Sequence, residues 1–160
     1  MQFKRIIAAI DVSDDLAVNV LRAADSLAQR DCANIRAVSV WPAPGVETSA
    51  FATDIGVTAA VAGQAALEQH EERRAICQKR LDELVEKYAP GASATVLDGD
   101  ASEAVSKFAE KVDADLIVTG SHQRGFWGTL FQGSASHHFI HDAPCAVLIV
   151  TKAFAEKMDL

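Results

Sequence analysis

The chain has 160 residues and a formal net charge of -7, from 22 acidic against 15 basic side chains. A hydrophobic share of 49% and a charged share of 23% describe an ordinary globular domain with a substantial core, and exclude a disordered chain. The acidic balance excludes a broad nucleic-acid or anionic-membrane footprint.

Phe3 to Ile10 is a compact apolar run that reads as a buried strand, ending at the turn-like residues Asp11 to Asp15. Ser13 or Asp14 is the expected N-cap of a first helix, in which Leu16, Val20, Ala23, Ala24, Leu27 and Ala28 form an apolar stripe through about Gln29. Ile35 to Trp41 reads as a second strand, stopped by Pro42 and Pro44, and Gly45 to Ala62 as a surface loop. Gly63 to Tyr88, rich in Glu, Gln, Arg, Ala and Leu, reads as a long exposed helix ended by Pro90 and Gly91. Within it the charged run Glu68 to Arg80 reads as a solvated face. Ala94 to Leu97 is a third strand, and Gly99 and Asp100 lead into a helix bearing Ala104, Val105, Phe108 and Ala109 on one face. Leu116 to Thr119 is a fourth strand, a helix starts near Ser134 and stops before Pro144, and Ala146 to Val150 is a fifth strand. Thr151 to Leu160 reads as a polar tail or a frayed helical turn, so residues 1–152 are expected to form one domain and 153–160 a tail.

Short, nearly all-apolar strands separated by helices imply an α/β fold: a doubly wound, five-stranded parallel sheet covered on both faces. Right-handed crossovers put the strand C-terminal ends along one edge, and the expected order is 3-2-1-4-5. Ligands of such sheets sit outside those ends where the strand order reverses, here between strands 1 and 4. Asp11 follows strand 1 and Gly120 follows strand 4, so two separate features meet at one place. The segment GSHQRGFWGTLFQGS, Gly120 to Ser134, leaves a strand through glycine and opens a helix with Gly-Ser. Such a segment offers bare backbone N–H groups and a hydroxyl to a phosphate.

Cys32, Cys77 and Cys145 are widely separated, with no CxxC or other metal spacing, and read as buried reduced thiols of a cytoplasmic protein. The run Ile6 to Ile10 is too short for a signal-peptide core or a membrane span. His137, His138 and His141 stand at helical spacing, but no HExxH and no cysteine or carboxylate at a zinc spacing accompanies them, so they read as a helix face. No catalytic set is complete: Ser134 has no evident base and no P-loop lysine follows the glycines.

Arg5 to Ser13, Ser39 to Pro42, Ala114 to His122 and Ala143 to Val150 together resemble the universal stress protein (UspA) family, of the Rossmann-like adenine-nucleotide α-hydrolase-like superfamily, over essentially the whole chain. Its ATP-binding members carry Gly-x2-Gly-x9-Gly-Ser/Thr; Gly120, Gly133 and Ser134 match, and Gln123 stands at the second glycine. The resemblance implies ATP, with or without Mg, as ligand, and at most slow ATP hydrolysis. It implies phosphate contacts from Gly120, Gly133, Ser134, Ala135 and Ser136, with Ser121, His122, Gln123 and Arg124 in the same loop. Arg124 is the cation suited to a triphosphate. Asp11 is the implied aspartate beside the adenosine or a divalent ion; Ala9 and Val40 flank the base, and Thr119 the ribose side. A homodimer is also implied, and the apolar edge strand Ala146 to Val150 explains how two copies would join. The expected role is a nucleotide-dependent regulator in stress response; with the second glycine replaced, a nucleotide-independent dimeric adaptor is the alternative.

Overall fold

The computed structural model describes residues 2–42, 58–121 and 143–158, with main chain only at 58–63 and 158. Along the chain run β1 (Arg5–Ala9), α1 (Ala17–Asp31), β2 (Asn34–Trp41), α2 (Thr58–Tyr88) and β3 (Ser93–Asp98). They are followed by α3 (Ala101–Lys111), β4 (Leu116–Gly120), β5 (Ala146–Val150) and a helix we label α4 (Lys152–Met158). All five strands are parallel, in the order β3-β2-β1-β4-β5. The doubly wound architecture expected from the alternation of apolar strands and helices is the one observed.

Side chains alternate across a strand, so neighbouring residues of β1 enter different cores. Ile6 and Ala8 pack with Val20, Leu21 and Ala24 of α1 and with Cys77, Leu81 and Val85 of α2. Ile7 and Ala9 pack with Val38, Val40 and Ile117 against Ala101, Val105 and Ala109 of α3. A strand buried on both faces has no polar side to display, which is why these segments read as continuous apolar runs.

Two carboxylates tie the N-terminal residues to this sheet. Asp115 Oδ2 accepts the N–H groups of Lys4 and Arg5, each at 2.8 Å, and these bonds hold its carboxyl below the usual range. Asp31, buried at the end of α1, accepts Arg30 Nε at 2.8 Å and the Phe3 N–H at 2.9 Å. The Arg30 hydrogen bond, seconded by that of Phe3, lowers the Asp31 pKa to about 2. A depressed carboxylate contributes stability that is complete above its unfolded pKa and is lost as pH falls through the folded one. Thermal melts should therefore show Asp31→Asn destabilised at pH 7. Between about pH 4 and 2 the variant should lose less stability than the wild type. Parallel acid limbs for the two proteins would remove Asp31 from that role.

Several boundaries differ from the sequence reading. The N-cap of α1 is Leu16, with no side-chain cap. Ser13 and Asp14 instead shape the preceding turn, where Asp11 Oδ1 accepts the Ser13 N–H at 2.9 Å and Asp14 Oδ1 accepts the Leu16 N–H at 2.7 Å. Helix α2 starts at Thr58, ahead of Gly63, since Ala-rich residues propagate a helix through one glycine at a cost of about 1 kcal/mol. Residues after Thr151 form a helix, anchored by the buried Ala155 and entered through a Thr151 carbonyl that accepts the Phe154 and Ala155 N–H groups. Of the cysteines, Cys77 is buried and Cys145 half-buried, but Cys32 is exposed, in the left-handed C-cap of α1.

Candidate functional site

The register brings the ends of β1 and β4 together: Ala9 lies opposite Thr119. Beyond these ends the chain turns away in opposite senses, to β2 on one side and β5 on the other, which makes this the switch point of the sheet. A cleft opens there. Its walls include Ala9, Asp11, Thr119 and Gly120, four residues singled out from sequence, together with Asp14 and Leu16 at the entry to α1.

Asp11 stands just past β1 in a tight turn. Its Oδ1 accepts both the N–H and, at 2.6 Å, the hydroxyl of Ser13, which fixes the carboxylate and leaves Oδ2 without a partner among the described residues. With Asp14 and Asp15 in the same turn, this side of the cleft is acidic. Ionised carboxylates repel phosphate and accept hydrogen bonds from hydroxyl and amino groups. At the entry to α1, whose first turn carries no acidic residue, Asp14 takes two N–H groups: Leu16 donates to its Oδ1 at 2.7 Å and Ala17 to its carbonyl at 3.1 Å.

Gly120 has a structural reason to be glycine. It is not among the described residues with positive φ, and a Cβ built on it would lie 3.3 Å from Leu16 Cβ and 3.6 Å from Val20 Cγ2. The absent side chain lets α1 sit close against the end of β4, and this contact shapes the cleft. Ala9, Val40 and Thr119 are 1%, 5% and 2% exposed, so each gives a ligand little more than an edge of its surface. The Ser121 N–H donates to the Val150 carbonyl at 2.9 Å, so this amide belongs to the sheet and is not available to a phosphate. His122, Gln123, Arg124, Gly133, Ser134, Ala135 and Ser136 lie outside the described residues.

Sequence reasoning missed Asp14, Leu16 and Val20 as cleft walls. The signal for Asp14 was present, a second aspartate in the turn, but nothing local says that the turn faces β4. Cys77 does not supply a nucleophile: burial pushes its thiol up, and its Sγ lies 3.9 Å from Ser39 Oγ. Among the described residues no three His, Cys, Asp or Glu side chains converge to hold a metal ion. Among the same residues no helix is long and apolar enough to cross a membrane.

Fold and cleft define a class of protein: a Rossmann-like, doubly wound α/β chain with a cleft between the ends of strands 1 and 4. A family model described as the Universal stress protein family matches residues 2–151, and the chain belongs to that family. Universal stress protein A homolog 1 of Coxiella burnetii is 31% identical over 151 residues, covering 94% of this chain and 97% of its own length. The fold is shared with a universal stress protein crystallised in complex with cAMP, at 16% identity and a TM-score of 0.56, covering 94% of this chain and 98% of the other. It is shared also with the Archaeoglobus fulgidus universal stress protein in complex with dAMP, at 20% identity and a TM-score of 0.50, covering 93% and 98%.

Proposed function

We propose that this universal stress protein binds ATP or a related adenine nucleotide at the switch-point cleft, and that occupancy biases its conformation or partner binding in stress response. The observation that carries the reading is the convergence of Ala9, Asp11, Thr119 and Gly120 on one cleft at the C-terminal edge of the sheet. Support comes from the cAMP and dAMP held by proteins of the same family and fold. The acidic turn divides the labour. Asp11, with Oδ2 open, suits the hydroxyl and amino groups of a nucleoside, whereas phosphates belong with Gly133 to Ser136 and the Arg124 cation. ATP supplies the negative charge that Mg would accompany; no step of catalysis is assigned. The reading takes residues 1–152 as one domain with α4 appended, and the cytoplasm as its setting.

A homodimer through β5 belongs to the same proposal. By the alternation of a parallel ladder, the Val150 carbonyl that accepts from Ser121 faces β4, so Val147 and Ile149 turn their backbone groups away from it, to an edge with no partner among the described residues. Leu148 beside them is 40% exposed. An open apolar edge is a template for strand pairing, and a second copy related by a two-fold axis satisfies both edges at once.

Nucleotide released from heat-denatured protein should be identified as an adenine nucleotide by mass spectrometry. By calorimetry, Ser134→Ala should weaken ATP binding by roughly 1.5–3 kcal/mol, the worth of a hydrogen bond to a charged group. Equal affinities would remove Ser134 from the site. One observation favours the adaptor reading, the Gln123 side chain where the ATP-binding pattern has glycine. Failure of any adenine nucleotide to bind at millimolar concentration would establish that reading in place of the first.

A further inference from the structure

The sheet has two edges, β3 and β5, and they are treated differently. On β3 the Gly99 N–H donates to the Trp41 carbonyl of β2, so odd-numbered residues face β2 and the backbone of Ala94, Val96 and Asp98 faces outward. Helix α2 reaches across to these groups with two side chains. The Val96 N–H donates to Gln78 Oε1 at 3.0 Å, and the Val96 carbonyl accepts from an Arg74 Nη at 2.8 Å. Gln78 Nε2 also lies 3.4 Å from the Ala94 carbonyl.

Both side chains are themselves held. Gln78 Nε2 donates to Asp82 Oδ1 at 2.9 Å, which fixes the amide so that its oxygen faces the Val96 N–H. Arg74 Nε donates to Asp98 Oδ1 at 2.8 Å, which anchors the guanidinium over the end of the strand and raises its pKa. A strand-edge residue whose donor and acceptor are both occupied offers no ladder to an incoming strand. On β5, Val147 and Ile149 have no such partners among the described residues.

We infer that Gln78 and Arg74 form an edge lock, which closes β3 to strand addition by a second copy of this chain and leaves the sheet one pairing edge. The consequence is geometric. One self-complementary edge gives a pair that closes, whereas two such edges on each protomer give a chain that grows without limit. A second copy is the occupant because β3 pairing antiparallel with its own counterpart sets Val96 near Val96, an apolar buried residue flanked by main-chain groups that match. Open-ended growth rests on the β5 pairing proposed above; the lock itself does not.

The test is the Arg74→Ala, Gln78→Ala double variant, followed by amide hydrogen exchange and sedimentation velocity across a range of concentrations. In dilute, unassociated protein, exchange at Val96 should quicken roughly tenfold, as for one hydrogen bond of ordinary net strength, while Thr95 and Leu97, bonded to β2, stay protected. The variant should sediment as species larger than the wild type, increasingly so with concentration. A further Thr95→Lys change, on the exposed face of β3, should reverse that growth by setting like charges together. Where the double variant does not fold, Gln78→Ala alone frees the Val96 N–H while Arg74 keeps the Val96 carbonyl, so exchange at Val96 should quicken as above with a smaller gain in sedimentation, and unchanged exchange overturns the lock. A wild-type monomer whose variant stops at a dimer upholds the lock and overturns β5 pairing. A folded variant that exchanges at Val96 as the wild type does while unassociated, or that exchanges faster yet sediments unchanged at every concentration, overturns the lock.

Discussion

Ile149→Pro should convert a dimer into a folded monomer. Its N–H faces away from β4 and has no partner among the described residues, so proline there removes no hydrogen bond to β4, and edge strands tolerate it on that account. In an antiparallel pair of β5 strands, the same N–H belongs to the inter-subunit ladder, and the pyrrolidine ring blocks the approach of the partner strand. One residue along, Val150→Pro should behave oppositely. Val150 faces β4 and is 2% exposed, so proline strips a ladder bond inside the protomer at a cost of about 1–3 kcal/mol. Light scattering and thermal melts separate the two: loss of half the mass with a retained transition for Ile149→Pro, and a lowered transition for Val150→Pro. A wild type that is monomeric at micromolar concentration, or an Ile149→Pro variant that remains a dimer, removes β5 as the interface.

What the sequence made legible follows from the range of the forces involved. The bounds of β5 were readable because an apolar run between Pro144 and Thr151 carries its own stops. Strand order was readable because parallel crossovers leave few choices. Residues 68–80 of α2 were read as a solvated face, and for Glu71 and Glu72 the exposure agrees. Arg74 and Gln78 break the pattern, since only the tertiary packing of α2 along β3 tells an exposed polar side chain from one that covers a strand edge. The site divides in the same way. Asp11 could be found from its place at a strand end, but Asp14 and Leu16 became cleft walls through a turn that folds back on β4. The amide of Ser121, a residue placed by the resemblance in the nucleotide loop, is claimed by a carbonyl of β5, a partner that no local pattern reveals.

Gly120→Val should lower both stability and nucleotide affinity, and the packing says why. Nothing in the backbone forbids the change: Gly120 belongs to a strand, does not have positive φ, and valine favours strands. The obstacle is α1. The first atom added would meet Leu16 Cβ at 3.3 Å and Leu16 Cδ1 at 3.5 Å, and the branched methyl groups extend further toward Val20. Overpacking of this kind costs about 1–3 kcal/mol, and the transition should fall by about 2–4 °C for each kcal/mol. Relief requires the entry of α1 to move outward, and the turn that carries Asp11 and Asp14 moves with it. Restoring the cleft on binding would then oppose ATP, and strain of about 1.4 kcal/mol already weakens binding tenfold. Val20→Ala in the same background makes room for the methyl groups and should recover part of both losses, a coupling of about 0.5–3 kcal/mol in the double-mutant cycle. Calorimetry alongside thermal melts gives each outcome a meaning. If neither stability nor affinity changes, α1 does not bear on the end of β4 as described. If stability falls while ATP affinity holds, the nucleotide binds elsewhere, since a ligand seated between Asp11 and Gly120 cannot be indifferent to the distance between them.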